Sequence, residues 1–222
     1  MKLVTGFLLL ALVFLTACTI TGNTVVDTNG CSKQDGAAKD ECHFEALECS
    51  KISSEIVRDS CVAELAKEKQ DLAVCDLIKS SQTKGYCQQQ LALSFNDQTI
   101  CQDIEAQYWV DECNFYLGVN NNEDTYCSLI DKQGRRDNCF NDIAISTNNH
   151  DLCGNLSNDE LKDACVFNIA KEVKNATFCN SVSTDLGRDA CISRIAGLTN
   201  EKELCDTIVI SSVKEICLEY FN

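Results

Sequence analysis

Seventeen cysteines in 222 residues are the side chains with the most chemistry to offer. A cysteine can act as a nucleophile, ligate a metal or pair into a disulfide, and its spacing and compartment decide among these. Setting aside Cys18, the cysteines stand at 31, 42, 49, 61, 75, 87, 101, 113, 127, 139, 153, 165, 179, 191, 205 and 217. From Cys49 onward the gaps alternate 12 and 14 without exception. Structural metal sites take two thiolates from one tight loop, C-x2-4-C, and no pair here is closer than Cys42 and Cys49. Disulfides are therefore expected, with no metal and no cofactor. Pairing across the 12-residue gaps uses every thiol: Cys31-Cys42, Cys49-Cys61, Cys75-Cys87, Cys101-Cys113, Cys127-Cys139, Cys153-Cys165, Cys179-Cys191 and Cys205-Cys217. Pairing across the 14-residue gaps, Cys61 with Cys75 through Cys191 with Cys205, leaves Cys217 alone and three N-terminal cysteines to share one bond. Parity favours the first scheme. Geometry leaves both open, because residues 75 and 87 are symmetric about one turn and residues 87 and 101 are almost as symmetric about the next.

The rest of the catalytic inventory is thin. The two histidines, His43 and His150, lie far apart with no ligand or triad spacing, and each reads as a surface residue. The segment Asn120-Asn121-Asn122-Glu123-Asp124 has oxygen ligands but not the loop spacing of a Ca²⁺ site, and it falls where helix-capping residues belong. No G-x-G-x-x-G, P-loop, G-x-S-x-G or C-x-x-C-H occurs, so no enzymatic activity is expected. The formal charge is −15, and no window holds more basic residues than Arg135-Arg136 beside one lysine. A nucleic-acid partner needs clustered Lys and Arg to neutralise phosphates, and that class is excluded. With 45% hydrophobic and 24% charged residues, neither a disordered tail nor a multi-span membrane protein fits. The sequons Asn155-Leu156-Ser157 and Asn175-Ala176-Thr177 matter only in a host that glycosylates exported proteins.

The cysteine gaps define a 26-residue period, the signature of stacked supersecondary units. Seven regular units begin at Cys49, Cys75, Cys101, Cys127, Cys153, Cys179 and Cys205; a shortened eighth, from Cys31 to Cys42, reads as an N-terminal cap. The first cysteine of a unit sits in an apolar frame with an aliphatic residue three on, as in Val74-Cys75 with Ile78. Four residues ahead of it stand Asp71, Asp97, Glu123, Asn149, Asn175 and Glu201, suited to a helix N-terminus. The second cysteine follows a basic-acidic pair in several units (Arg58-Asp59, Arg136-Asp137, Lys162-Asp163, Arg188-Asp189) and precedes an aliphatic-small pair such as Ile143-Ala144. This spacing predicts a longer helix, with Ser157 and Glu160 as a capping box at one start and Ser54, Ser81 and Thr184 in similar places. The chain has no proline, and its one strand-like run, Thr207 to Ile210, lies inside a short-helix position. The expected fold is all-α: an α-solenoid of about eight disulfide-stapled helical hairpins with a 26-residue repeat. In architecture, residues 31–222 resemble cysteine-rich relatives of tetratricopeptide repeats, in which a disulfide links the two helices of each hairpin. The period and cysteine spacing differ and the tetratricopeptide Trp, Gly, Tyr and Pro pattern is missing, so the resemblance implies no ligand or activity.

One unit breaks the pattern. On the longer helix, with the second cysteine at 0°, the recurrent apolar positions lie at about 0°, 40°, 100° and 140°, and positions −5 and +2 fall on the far side. Those two places hold Tyr108 and Phe115 in the third regular unit, with Trp109 and Tyr116 beside them. Extra packing against a neighbouring hairpin is one reading of this cluster; the other is an exposed patch for a protein or glycan partner, with Phe167 as an extension.

The N-terminus carries an address. Lys2 precedes an apolar run from Leu3 to Leu15, which reads as a signal peptide over residues 1–17. The run ends in Leu15-Thr16-Ala17-Cys18, which resembles the lipobox of prokaryotic lipoproteins. That resemblance implies acylation of Cys18 and anchoring to a membrane through lipid, outside the cytoplasm. Residues 18–30 then form a small, polar tether to the repeat domain at 31–222. The expected function is a binding or interaction module on the membrane surface. A structural spacer of the envelope is the alternative, and a hydrolytic or ligand-sequestering activity ranks below both.

Overall fold

The computed structural model describes residues 28–222, so the signal segment, Cys18 and most of the tether lie outside the described residues. The helices are α1 (Thr28–Cys31), α2 (Gly36–Glu45), α3 (Glu55–Lys69), α4 (Ser81–Phe95), α5 (Gln98–Gln102), α6 (Gln107–Asn121), α7 (Gln133–Thr147), α8 (Asp159–Val173), α9 (Asp185–Thr199) and α10 (Ser211–Glu219). Between the long helices run single-turn to two-turn 3₁₀ helices at Cys49–Lys51, Leu72–Leu77, Asp124–Leu129, His150–Asn155, Ala176–Ser181 and Lys202–Thr207; α5 takes that place in the third regular unit. No strand occurs among the described residues. The result is an α-solenoid in which each unit is a short helix, an extended link and a long helix, and each packs on its sequence neighbours.

The short helix starts where its capping residue predicts. Asp71, Asp97, Asn149 and Asn175 each accept a hydrogen bond from the backbone N–H two residues on. The long helix ends because the next residue turns left-handed: Gln70, Asn96, Asn122, Asn148, Lys174 and Asn200 all have φ between 51° and 59°. The following N–H then reaches back to the carbonyl of a small residue, as from Asp71 to Ala66 (3.1 Å), Asp97 to Ala92 (2.9 Å) and Asn149 to Ala144 (2.9 Å). This is the role of the small member of the aliphatic-small pair. At Gly118 in that series a Cβ would come within 3.2 Å of the Glu123 carbonyl, so the chain re-enters too closely for a larger side chain.

The eight disulfides span the 12-residue gaps, with the 11-residue Cys31–Cys42 bond in the cap, and each ties the short helix of a unit to its own long helix at a Cα separation of 5.4–5.8 Å. Disulfides of this number belong to an oxidising, extracytoplasmic compartment. No helix among the described residues is long and apolar enough to cross a membrane. Around the sulfurs the core is segmented rather than continuous, each segment adding an aliphatic residue after the short helix (Ile78, Ile104, Ile130, Leu156) to those of the long helix (Leu91, Leu117, Ile143, Ile169).

Units are joined by a recurrent aspartate two residues before the second cysteine. Its carboxylate accepts the N–H groups of the link that opens the next unit's long helix: Asp40 from Ser53 and Ser54, Asp59 from Lys79 and Ser80, Asp111 from Asp131 and Lys132, Asp189 from Val209 and Ile210, at 2.7–3.3 Å. Asp137 and Asp163 each take the N–H and the hydroxyl of Ser157 and Ser183. The acidic member of the basic-acidic pair is thus an inter-unit clamp that satisfies helix-start N–H groups. It also corrects the capping box: Ser157 gives its hydroxyl to Asp137, and the N-cap of α8 is Asn158, bonded to Leu161 N. Likewise Ser80, not Ser81, caps α4, by accepting from Thr83 N.

Candidate binding surface on the central units

The aspartate clamp fails at one joint. The equivalent position on α4 is Gly85, and the space is filled by Trp109 of α6, whose Cδ1 would lie 2.6 Å from a Cβ at residue 85. Trp109 is half-buried there, with Tyr86 of α4 on one side at 5.4 Å between ring centroids and Tyr108 on the other at 4.9 Å. Two helical turns on, Phe115 and Tyr116 meet edge to face at 5.3 Å. Arg135 of α7 lays its guanidinium over Phe115, 3.4 Å from the ring centroid, and donates from Nη2 to Glu112 Oε2 at 2.6 Å. This pair is largely shielded, the side chains retaining 22% and 14% of their exposure.

Two grooves flank this ridge. A cleft of about 730 Å³ between α6 and α7 is bordered by Tyr108, Glu112, Gly134, Arg135 and Asn138. A smaller one of about 350 Å³ between α4 and α6 is bordered by Tyr86, Gln89, Gln90, Trp109 and Tyr116. A Cβ built on Gly134 meets nothing within 4 Å, so the missing side chain leaves the larger cleft open beside Tyr108. Among the described residues two buried side-chain nitrogens lack a hydrogen-bond partner, Trp109 Nε1 and Arg135 Nε, and both belong to this cluster. Compared with known proteins, the chain matches no family model, no curated protein and no solved structure. The surface must be read from its own chemistry.

Of the four aromatic residues marked in the sequence, Tyr108 is 55% and Tyr116 41% exposed, Trp109 is half-buried, and Phe115 is buried at 7%. Phe115 therefore supports the patch from beneath Arg135 and does not line it. Its position, +2 from the second cysteine, is also buried at Ala63, Gln89 and Ser193. A helical wheel built on one hairpin puts +2 on the far side, but a long helix in a solenoid packs laterally on the next long helix as well. Position −5, by contrast, is exposed in every regular unit, from Ile56 to Ser212. Tyr86, Glu112 and Arg135 are functional candidates that the sequence reading passed over. Tyr86 and Glu112 both stand immediately before the second cysteine, the next place on the face that −5 defines, and that register is the signal that finds them. Phe167, the suggested extension, sits half-buried beside a separate groove formed with Val182 and Arg194.

Truncating the two rings should separate packing from exposure. Phe115→Ala is expected to destabilise by about 3 kcal/mol, as for a core phenylalanine. Tyr108→Ala should stay within about 0.5 kcal/mol of the parent, as for an exposed side chain. Urea titration of both variants checks this; equal losses would make Tyr108 a packing residue.

Elsewhere the structure finds scaffold roles. His43 is buried at 4% and donates from Nδ1 to Glu48 Oε2 at 2.9 Å, so it is not the surface residue its isolation suggested; it closes the N-terminal cap. His150 is half-buried with its ring 4.9 Å from that of Phe178. In the Asn120–Asp124 segment, Asn122 is the left-handed residue that ends α6 and Glu123 precedes the next short helix. Asn155 is exposed, while Asn175 bonds the N–H and hydroxyl of Thr177.

Proposed function

We propose that this protein is a lipid-anchored, extracytoplasmic binding module that holds its partner against the α4–α6–α7 face. The observation that carries the reading is the coincidence, at one joint, of the missing clamp, the exposed tyrosines, the open cleft at Gly134 and two buried unpaired N–H groups. Unpaired buried donors cost about 1–3 kcal/mol each, and both of those found among the described residues fall at this joint. The regular units on either side repeat staple and clamp. The lipobox-like Leu15-Thr16-Ala17-Cys18 supports anchoring, and the small polar segment that follows supports a surface position.

Two measurements test this. Metabolic labelling with an alkyne fatty acid should tag the parent chain and not Cys18→Ser. In pull-downs from surface extracts, which contain proteins and glycans alike, the parent should retain a component that Tyr108→Ala/Tyr116→Ala loses with an unchanged melting temperature. A variant that retains the same material would remove this face from the function and leave the spacer role.

A further inference from the structure

We infer that the ligand of this face is a neutral oligosaccharide, seated in the cleft between α6 and α7 with a sugar ring against Tyr108; this rests on the binding-module reading above. The ring chemistry comes first. Every exposed ring of the cluster is a tyrosine, Tyr86 at 37%, Tyr108 at 55% and Tyr116 at 41%, while the all-carbon ring, Phe115, is buried. The exposed aliphatic side chains, Ile56, Leu77, Leu129, Leu186 and Val209 among them, line neither groove, and the one aliphatic residue on a groove wall is the half-buried Leu93. A protein interface of ordinary size needs about 800 Å² per partner around a dry apolar centre. This face has no such centre. It has apolar ring faces with polar tips, which match a ligand that alternates C–H faces and hydroxyls.

Hydrogen-bonding capacity narrows the class further. Arg135 makes one side-chain hydrogen bond among the described residues, from Nη2 to Glu112, so most of its five N–H donors are uncommitted. Among the described residues Glu112 accepts that one bond, through Oε2, and no other. The same wall adds the Asn138 amide, and the adjoining groove adds those of Gln89 and Gln90. Donors and acceptors thus alternate over a short distance, which suits hydroxyl groups because each both donates and accepts. Charge excludes the neighbours of this class. Lys132 and Arg135 face Asp111, Glu112 and Asp131 around the cleft, and the whole chain carries −15, so a sulfated, sialylated or phosphorylated ligand meets net repulsion. The cleft volume of about 730 Å³ falls within the range of small-ligand sites, roughly 300–1,000 Å³.

Trp109 is the only tryptophan in the chain and borders the adjoining groove, so its emission reports on this face without a label. The parent protein should be applied to an array of neutral hexose, pentose, deoxyhexose and N-acetylhexosamine glycans beside sialylated and sulfated ones. The strongest oligosaccharide is then titrated against Trp109 fluorescence. Binding should be confined to neutral glycans and saturate in the micromolar to millimolar range. Tyr108→Ala should weaken it by about tenfold or more. Gly134→Leu, which fills the cleft from a position with open space around its Cβ, should weaken it as much without lowering the melting temperature. Leu186→Ala, an exposed residue at the same register three units on, should leave it unchanged. Capture of acidic glycans alone, or equal binding by the parent, Tyr108→Ala and Gly134→Leu, overturns the inference. An empty array overturns it too: if Tyr108→Ala/Tyr116→Ala still loses a protein in the pull-down, the binding module stands with a protein partner; if it loses nothing, both readings fall.

Discussion

Full reduction and alkylation of the sixteen paired cysteines should abolish the helical circular dichroism of this protein at room temperature. Each bond closes a ring at a sequence separation of 11 or 12. In the chain-entropy treatment such a ring is worth about 3 kcal/mol. Eight of them together exceed the roughly 5–15 kcal/mol that a folded domain has in total. The structure explains why the bonds cannot be spared. A 26-residue unit is too small to bury its own core, and the core here is cut into segments, each centred on its sulfurs. The cysteines are also packing groups, with 0–6% exposure for those that enter the core. Reduction therefore removes the constraint on the unfolded chain while the units still depend on one another. The measurement is far-UV circular dichroism of the reduced, alkylated chain beside the oxidised one. Retention of more than half the helical signal would show that stacking alone holds the solenoid.

The second large effect is expected at a clamp. Asp189 is fully buried and accepts the N–H groups of Val209 at 3.0 Å and Ile210 at 2.7 Å, with the Arg188 guanidinium on its other oxygen at 3.0 Å. Asp189→Ala orphans both N–H groups at the start of α10 and should cost about 3 kcal/mol, since hydrogen bonds to a charged group are worth about 1.5–3 kcal/mol. Protonation should reproduce part of this loss. Burial by itself pushes the Asp189 pKa up, but the hydrogen bonds from Ile210, Arg188 and Val209 outweigh it and hold the carboxyl below its ordinary value of 3.8. A depressed pKa in the folded state means that the stabilisation is complete above the ordinary value and is lost as pH falls through the folded one. Asp40, held low by the N–H groups of Ser53 and Ser54, acts in the same direction. Melting temperature should be level above about pH 5 and fall below about pH 4. Asp189→Asn should melt lower at neutral pH and decline less steeply on acidification. A parallel decline in parent and variant would assign the acid sensitivity to other carboxylates.

Much of this architecture can be read in the chain before any coordinates. The 12 and 14 gaps, the capping residues Asp71, Asp97, Asn149 and Asn175, and the small residues at Ala92 and Ala144 define a stapled helical repeat, because each is a local requirement of one hairpin. The clamp was visible as a pattern, Arg136-Asp137 or Arg188-Asp189, but its meaning was not, since the groups it serves lie 20 and 21 residues on. The capping box at Ser157 was misread for the same reason: its hydroxyl was already committed to a residue of the preceding unit.

The candidate site divides along the same line. Composition alone marks the third regular unit, because Tyr108, Trp109, Phe115 and Tyr116 crowd one helix. Which of them face solvent depends on the lateral neighbours, α4 and α7, and a single-helix wheel has no access to those. Tertiary packing buries Phe115 under Arg135, seats Trp109 over Gly85 and brings Tyr86 and Glu112 to the same face. The disulfides show the complementary case. Their spacing told by itself that the thiols pair, since a strict period with even parity admits few schemes. Symmetry about successive turns allowed either partner, parity favoured the 12-residue gaps, and the packing of each short helix against its own long helix, at 5.4–5.8 Å between Cα atoms, realises that pairing.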